Sequence, residues 1–136
     1  FYISQFGLYL GSTAPTFTSP PISTVKDQVE YYVERLPNTD NAFIGNGFAQ
    51  SATQARPHCI YKTTKRVTPS LSVSNVAHFK IRYLTTSTDT TNLTLNDATP
   101  FNMTFSATVA SVLTPGHAIY LGVNASLGII LFDARH

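Results

Sequence analysis

FNMTFSATVA, residues 101–110, is the stretch whose pattern decides the fold class. Phe101, Met103, Phe105, Ala107 and Val109 alternate with Asn102, Thr104, Ser106 and Thr108. One face is therefore apolar and the other carries amides and hydroxyls. A period of two belongs to a β-strand, whose successive side chains point to opposite faces. Such a strand buries one face and wets the other, as in an antiparallel sheet.

The same period recurs on both sides. TNLTLND (91–97) sets Leu93 and Leu95 against Asn92, Thr94 and Asn96. HFKIRYL (78–84) sets Phe79, Ile81 and Tyr83 against His78, Lys80 and Arg82, and PSLSVSN (69–75) alternates Leu71 and Val73 with serines. HCIYKTT (58–64), FIGNGFAQ (43–50), HAIYLGV (117–123) and LGIILFDA (127–134) complete a set of about eight strands. Short strands at roughly ten-residue spacing with turn residues between them predict an all-β fold, an antiparallel β-sandwich of jelly-roll-like form. In LGIILFDA both faces are apolar, so both need a cover. Ile129, Ile130, Leu131 and Phe132 are accordingly candidates for a subunit interface, with a helix lying over the strand as the alternative.

One short N-terminal helix is expected, over about residues 24–36. Val25, Val29, Tyr32, Val33 and Leu36 recur at helical spacing and form a stripe suited to packing on a sheet. Thr24 with Asp27 resembles a capping box, and Pro37 followed by Asn38 ends the helix. Residues 1–40 then read as a connector: an apolar strand FYISQFGLYL (1–10), a Pro/Ser/Thr-rich loop and the helix. Residues 41–136 read as the sandwich domain.

Composition narrows the function classes. Only 12% of the 136 residues are charged while 43% are hydrophobic, which argues for a packed core and against disorder. A net charge of +2 implies no strong electrostatic partner, and no nucleic-acid-binding motif occurs. No apolar run approaches the length of a membrane helix, so no membrane insertion is expected. The single cysteine, Cys59, excludes an internal disulfide. His58 and Cys59 are neighbours on a strand and point apart, so they cannot act as base and nucleophile. No nucleophile elbow, phosphate-binding loop or zinc-protease motif is present, and the four histidines lack ligand spacing. Glu30 and Glu34 share a helix face, read as solvated. The expectation is a non-enzymatic module without cofactor or metal.

Binding candidates come from charge and hydroxyls. Arg56, His58, Lys62, Lys65, Arg66, Lys80 and Arg82 concentrate within 27 positions. Pairing of 58–64 or 69–75 with 78–84 would gather several on one sheet face, suited to phosphate or acidic sugars. Asp89 lies within the Thr-rich segment TTSTDTTNLT (85–94) and Asp97 just beyond it, where a loop carboxylate can accept from sugar hydroxyls. The candidate ligand-binding set is Arg56, His58, Lys62, Lys80, Arg82, Asp89 and Asn92. Among the tyrosines, Tyr61, Tyr83 and Tyr120 read as core or interface. The sequons at Asn92, Asn102 and Asn124 read as chance matches.

Residues 1–36, FYISQFGLYLGSTAPTFTSPPISTVKDQVEYYVERL, resemble a recurrent segment of bacteriophage tail-fibre and prophage proteins. There a strand of the form xYIAxVQLExG is followed by SxATPFExRP and a helix ending in CQRYYEK. Tyr2, Ile3, Leu8, Gly11, Ser12, Ala14, Thr16, Phe17, Tyr31 and Tyr32 carry the likeness. Gln28, Val29 and Glu30 depart from it, as does Tyr9. KRVTPS (65–70) resembles the family's MRAAPT through Arg66 and Pro69, and FDARH resembles endings such as LDARL.

The resemblance implies the C-terminal module of a tail fibre or receptor-binding protein, homotrimeric, on the virion and outside the cell, with bacterial polysaccharide or lipopolysaccharide as partner. It also implies that the first strand ends a preceding jelly-roll domain and that chain precedes Phe1. It transfers no catalytic residue. Two alternatives stay open: a structural trimerisation cap without ligand, and part of a polysaccharide depolymerase whose catalytic domain lies upstream.

Overall fold

A computed structural model describes residues 19–36, 39–110, 112–124 and 128–135. The strand and loop expected over 1–18 and the stop at Pro37 and Asn38 lie outside the described residues. The helix α1 spans Ile22–Tyr32 and the strands are β1 Val33–Arg35, β2 Phe43–Ala49, β3 Gln54–Ile60, β4 Ser70–Val73, β5 Phe79–Tyr83, β6 Thr86–Ala98, β7 Asn102–Val109, β8 Ala118–Val123 and β9 Ile130–Asp133. All pairings are antiparallel.

The expected antiparallel all-β organisation with one short helix is present. Its larger sheet, however, is a closed barrel in the order β2-β3-β7-β6-β5-β8, beside a three-stranded sheet β1-β9-β4. Closure replaces the two open stacked sheets that were expected, because β2 pairs with β3 on one edge and β8 on the other. A closed sheet has no free edges. The barrel is filled by Phe79, Ile81, Leu93, Met103, Phe105, Ala107, Val109, Ile119, Leu121 and Val123, all buried. The alternation read in residues 102–109 and 79–83 is thus the inside–outside alternation of a barrel wall. Phe101 is the exception: it precedes β7 and is 62% exposed.

β6 is longer than expected. The Thr-rich segment is strand, not loop, paired with β5 from Tyr83↔Thr86 to Lys80↔Asp89. Threonine is β-branched and suits an extended, half-exposed wall. β3, conversely, begins at Gln54 and ends at Ile60, so residues 61–64 leave the sheet. There the Lys62 N–H donates to the carboxylate of Glu34 in place of a strand partner.

Two further expectations are corrected. The helix ends at Tyr32 and the backbone turns extended at Val33, φ −142°. Val33 and Leu36 reach the interior from strand β1 and its end, not from a helical stripe, while Val29 and Tyr32 stay exposed. The helix starts after Pro21 with no side-chain cap, so Thr24 and Asp27 form no capping box. In β9 the chain itself covers the face of Ile130 and Phe132. Ile130 and Phe132 are 1% exposed, and the Phe132 ring meets Tyr61 at 5.2 Å and Phe105 at 6.4 Å. These two side chains seat the small sheet against the barrel and are not available to a second subunit. Ile129 and Leu131, on the other face, are half-buried.

Candidate functional site

Register determines which outward side chains meet. Arg82 lies opposite Tyr120, Tyr120 opposite Asn46, Asn46 opposite His58 and His58 opposite Thr104. One row of polar and aromatic side chains therefore crosses β5, β8, β2, β3 and β7. The adjacent row sets Asp89 opposite Lys80, Lys80 opposite Gly122 and Gly122 opposite Phe43. A bulge between Phe43 and Gly45 resets the parity of β2. It turns Phe43, 60% exposed, to the same outer face as Asn46 and Phe48.

Tyr120 is the centre of this strip. The Arg82 guanidinium lies 5.6 Å from its ring centroid, and the Phe43 ring lies 6.0 Å away, tilted by 41°. A cation over a Tyr face is attracted by the ring quadrupole and held flat. Asn41 adds the polar arm. Its backbone is left-handed, φ 61°, a conformation Asn tolerates better than most residues. From there its side-chain oxygen accepts from Lys80 Nζ at 2.9 Å and from Arg82 Nη2, while its amide donates to Asp40 Oδ2 at 2.9 Å. Lys80 also pairs with Asp40 at 3.7 Å and is only 7% exposed.

Arg82 Nε is buried without a hydrogen-bond partner, and so is Arg56 Nη1 on β3. The Arg56 Nε donates to Gln50 Oε1 at 2.6 Å, and Arg56 lies opposite Phe48, which is exposed. Both nitrogens are closed to solvent, so a ligand would meet the outer edges of the guanidinium groups and not these atoms. Such a strip can take an anionic group on the guanidinium forks and stack apolar C–H faces on Tyr120 and Phe43.

Of the seven expected ligand-binding residues, the fold brings Lys80, Arg82 and Asp89 together and sets His58 and Arg56 on β3, three strands from β5. Asp89 is strand-borne and accepts from the Asn124 amide at 2.6 Å, so it is no loop carboxylate. Asn92 pairs with Thr108 on another part of the barrel wall. Lys62 belongs to the loop after β3. Strand β5 pairs with β6 and β8, not with 58–64 or 69–75. Sequence reasoning missed Phe43, Asn41 and Tyr120, the last read as core or interface, because their meeting depends on a bulge and on distant register.

Lys65 leaves the expected basic surface altogether. It is 2% exposed and Glu34 1%. Lys65 Nζ pairs with Glu34 Oε2 at 2.6 Å and donates to the Glu30 carbonyl at 2.5 Å, so Glu34 is not on a solvated helix face. Beside the pair, burial and then the Glu34 charge push the Cys59 thiol from 9.0 up to about 11. It is therefore a protonated thiol at neutral pH rather than a nucleophile. Burial, then Cys59 and Glu34, also raise the Tyr61 hydroxyl.

Both groups are neutral when protonated, and folding raises both pKa values. Their stabilisation is complete below the unfolded value and is lost as pH climbs through the folded one. The urea midpoint should therefore hold steady from neutral pH to about 9 and fall between 9 and about 11. A Cys59→Ala variant should show a shallower fall, and an identical profile would contradict this assignment.

Among the described residues no group of three or more His, Cys, Asp or Glu side chains could hold a metal ion. No helix among them is long and apolar enough to cross a membrane. Comparison with known proteins finds no matching family model, no matching curated protein and no matching solved structure.

Proposed function

We propose that the chain is a binding module that holds an anionic bacterial surface glycan, lipopolysaccharide or capsular polysaccharide, on the strip centred on Tyr120. The carrying observation is the Arg82 guanidinium over the Tyr120 ring, with the tilted Phe43 ring, Asn41 and Lys80 gathered round it. A sheet surface of this kind binds weakly at each copy, and avidity supplies the rest. The module is the C-terminal, homotrimeric end of a phage tail fibre, carried on the virion outside the cell, where the expected jelly-roll-like role is taken by the barrel and its side sheet. Homotrimer formation is supported by apolar side chains left exposed: Ile22, Val29, Ile60 and Phe101. The same residues favour a second reading, a trimer cap that binds nothing.

Arg82→Glu separates the two. On a surface coated with phosphorylated lipopolysaccharide, retention should fall roughly tenfold, the equivalent of one charge-assisted hydrogen bond of about 1.5 kcal/mol. Arg82→Lys should recover part of it. Retention equal to that of the parent chain would leave only the cap.

A further inference from the structure

The helix α1 carries a second feature that the strip does not use. Thr24, Asp27, Gln28 and Tyr31 follow one another at helical spacing, hence on one face. With Tyr32 and Thr63 they line a cavity of about 570 Å³, within the range of small-molecule sites. Ile22 and Val29 lie on the opposite side of the helix, so the cavity is separate from that apolar patch.

Its walls are fixed in place. The loop bearing Thr63 is tied to the helix end by Lys65 Nζ to the Glu30 carbonyl at 2.5 Å, by the Arg66 N–H to the Tyr31 carbonyl at 3.0 Å and by the buried Lys65–Glu34 pair. The two tyrosine rings stand edge to face, centroids 5.1 Å apart at 85°, and form a corner with one ring face turned each way. They are 38% and 42% exposed.

We infer that this cavity is a subsite for a neutral pyranose, distinct from the anionic-glycan strip. The lining matches that chemistry group by group. A pyranose has an apolar C–H face, which stacks on a tyrosine ring, and a rim of hydroxyls that both donate and accept. The Asp27 carboxylate accepts two hydroxyl protons, the Gln28 amide both donates and accepts, and the Thr24 and Thr63 hydroxyls do either. Among the described residues the lining has one carboxylate and no cation. An anionic sugar is therefore repelled where a neutral one is held. A module with both sites would read two features of one polysaccharide, a charged group on the barrel wall and a neutral ring at the helix.

Saturation-transfer NMR on the full chain tests this with methyl glycosides of glucose, galactose, mannose and N-acetylglucosamine as probes. At least one should receive saturation on its ring C–H protons. Tyr31→Ala and Asp27→Ala should each cut that signal at least about fivefold (about 1 kcal/mol). Asp27 is exposed, so its variant keeps the fold even if the tyrosine variant does not. Arg82→Glu should leave the signal unchanged, which separates this subsite from the strip. Absence of transfer to all four probes, or a signal that survives Asp27→Ala, would overturn the assignment and leave the anionic-glycan reading untouched.

Discussion

Lys65→Ala should cost about 3–5 kcal/mol of folding free energy, the usual consequence of stranding one partner of a buried ion pair. Glu34 would remain 1% exposed with its charge unpaired. Among the described residues it would keep only the Lys62 backbone N–H, at 3.2 and 3.3 Å from its two oxygens. Lys65 also holds the Glu30 carbonyl at the end of α1, so the helix loses its tether at the same time. Urea unfolding measures the loss. The double variant Glu34→Leu/Lys65→Met should recover most of it, because an apolar pair of similar volume avoids desolvating two charges. A single-variant loss below about 1 kcal/mol would mean that water reaches the pair and that the helix is not anchored through it.

Gly47→Ala should be nearly as damaging, at about 3 kcal/mol, the upper end of overpacking costs. A Cβ there would lie 1.9 Å from the Arg56 carbonyl oxygen and 2.9 Å from Pro57 Cα. These are backbone atoms of the strand paired with it, so no side chain can swing away to make room. The barrel would have to open between β2 and β3, and Phe48 and Asn46 would lose their places in the outer strip. Gly116→Ala is the control. Its φ of +84° strains any side chain, but nothing lies within 4 Å, so about 1 kcal/mol is expected. Thermal unfolding of the two variants side by side decides between them; equal shifts would deny the close approach of β2 and β3.

Much of the fold is legible in the residues. Residues 102–109 alternate in sequence and alternate in burial, and β2, β4, β5 and β8 fall close to where period-two reading sets them. Pattern reading works here because each strand has one wet side. It fails where that condition fails. The Thr-rich run of β6 has no apolar face to betray it, and Thr90 is buried by donating its hydroxyl to the carbonyls of Val76 and Phe79. The helix looked amphipathic through Val29, Tyr32 and Val33. Yet the chain extends at Val33, because Glu34 must reach Lys65 and Arg35 must pair with Leu131.

The candidate site divides in the same way. Lys80 and Arg82 were visible as a basic face because they lie two apart on one strand, where local geometry alone aligns them. Lys65 looked equivalent and is not, since burial is decided by a carboxylate 31 residues away. By itself, the sequence determined most of the strands from residue 43 onward, the two faces of residues 102–109 and the apolar character of the interior, all set by neighbours within a few bonds. Only the tertiary structure decided that the sheet closes, that Phe43 turns outward at a bulge, and that Arg82 lands on Tyr120. Those outcomes depend on register between distant strands, and register is fixed by packing the whole barrel at once.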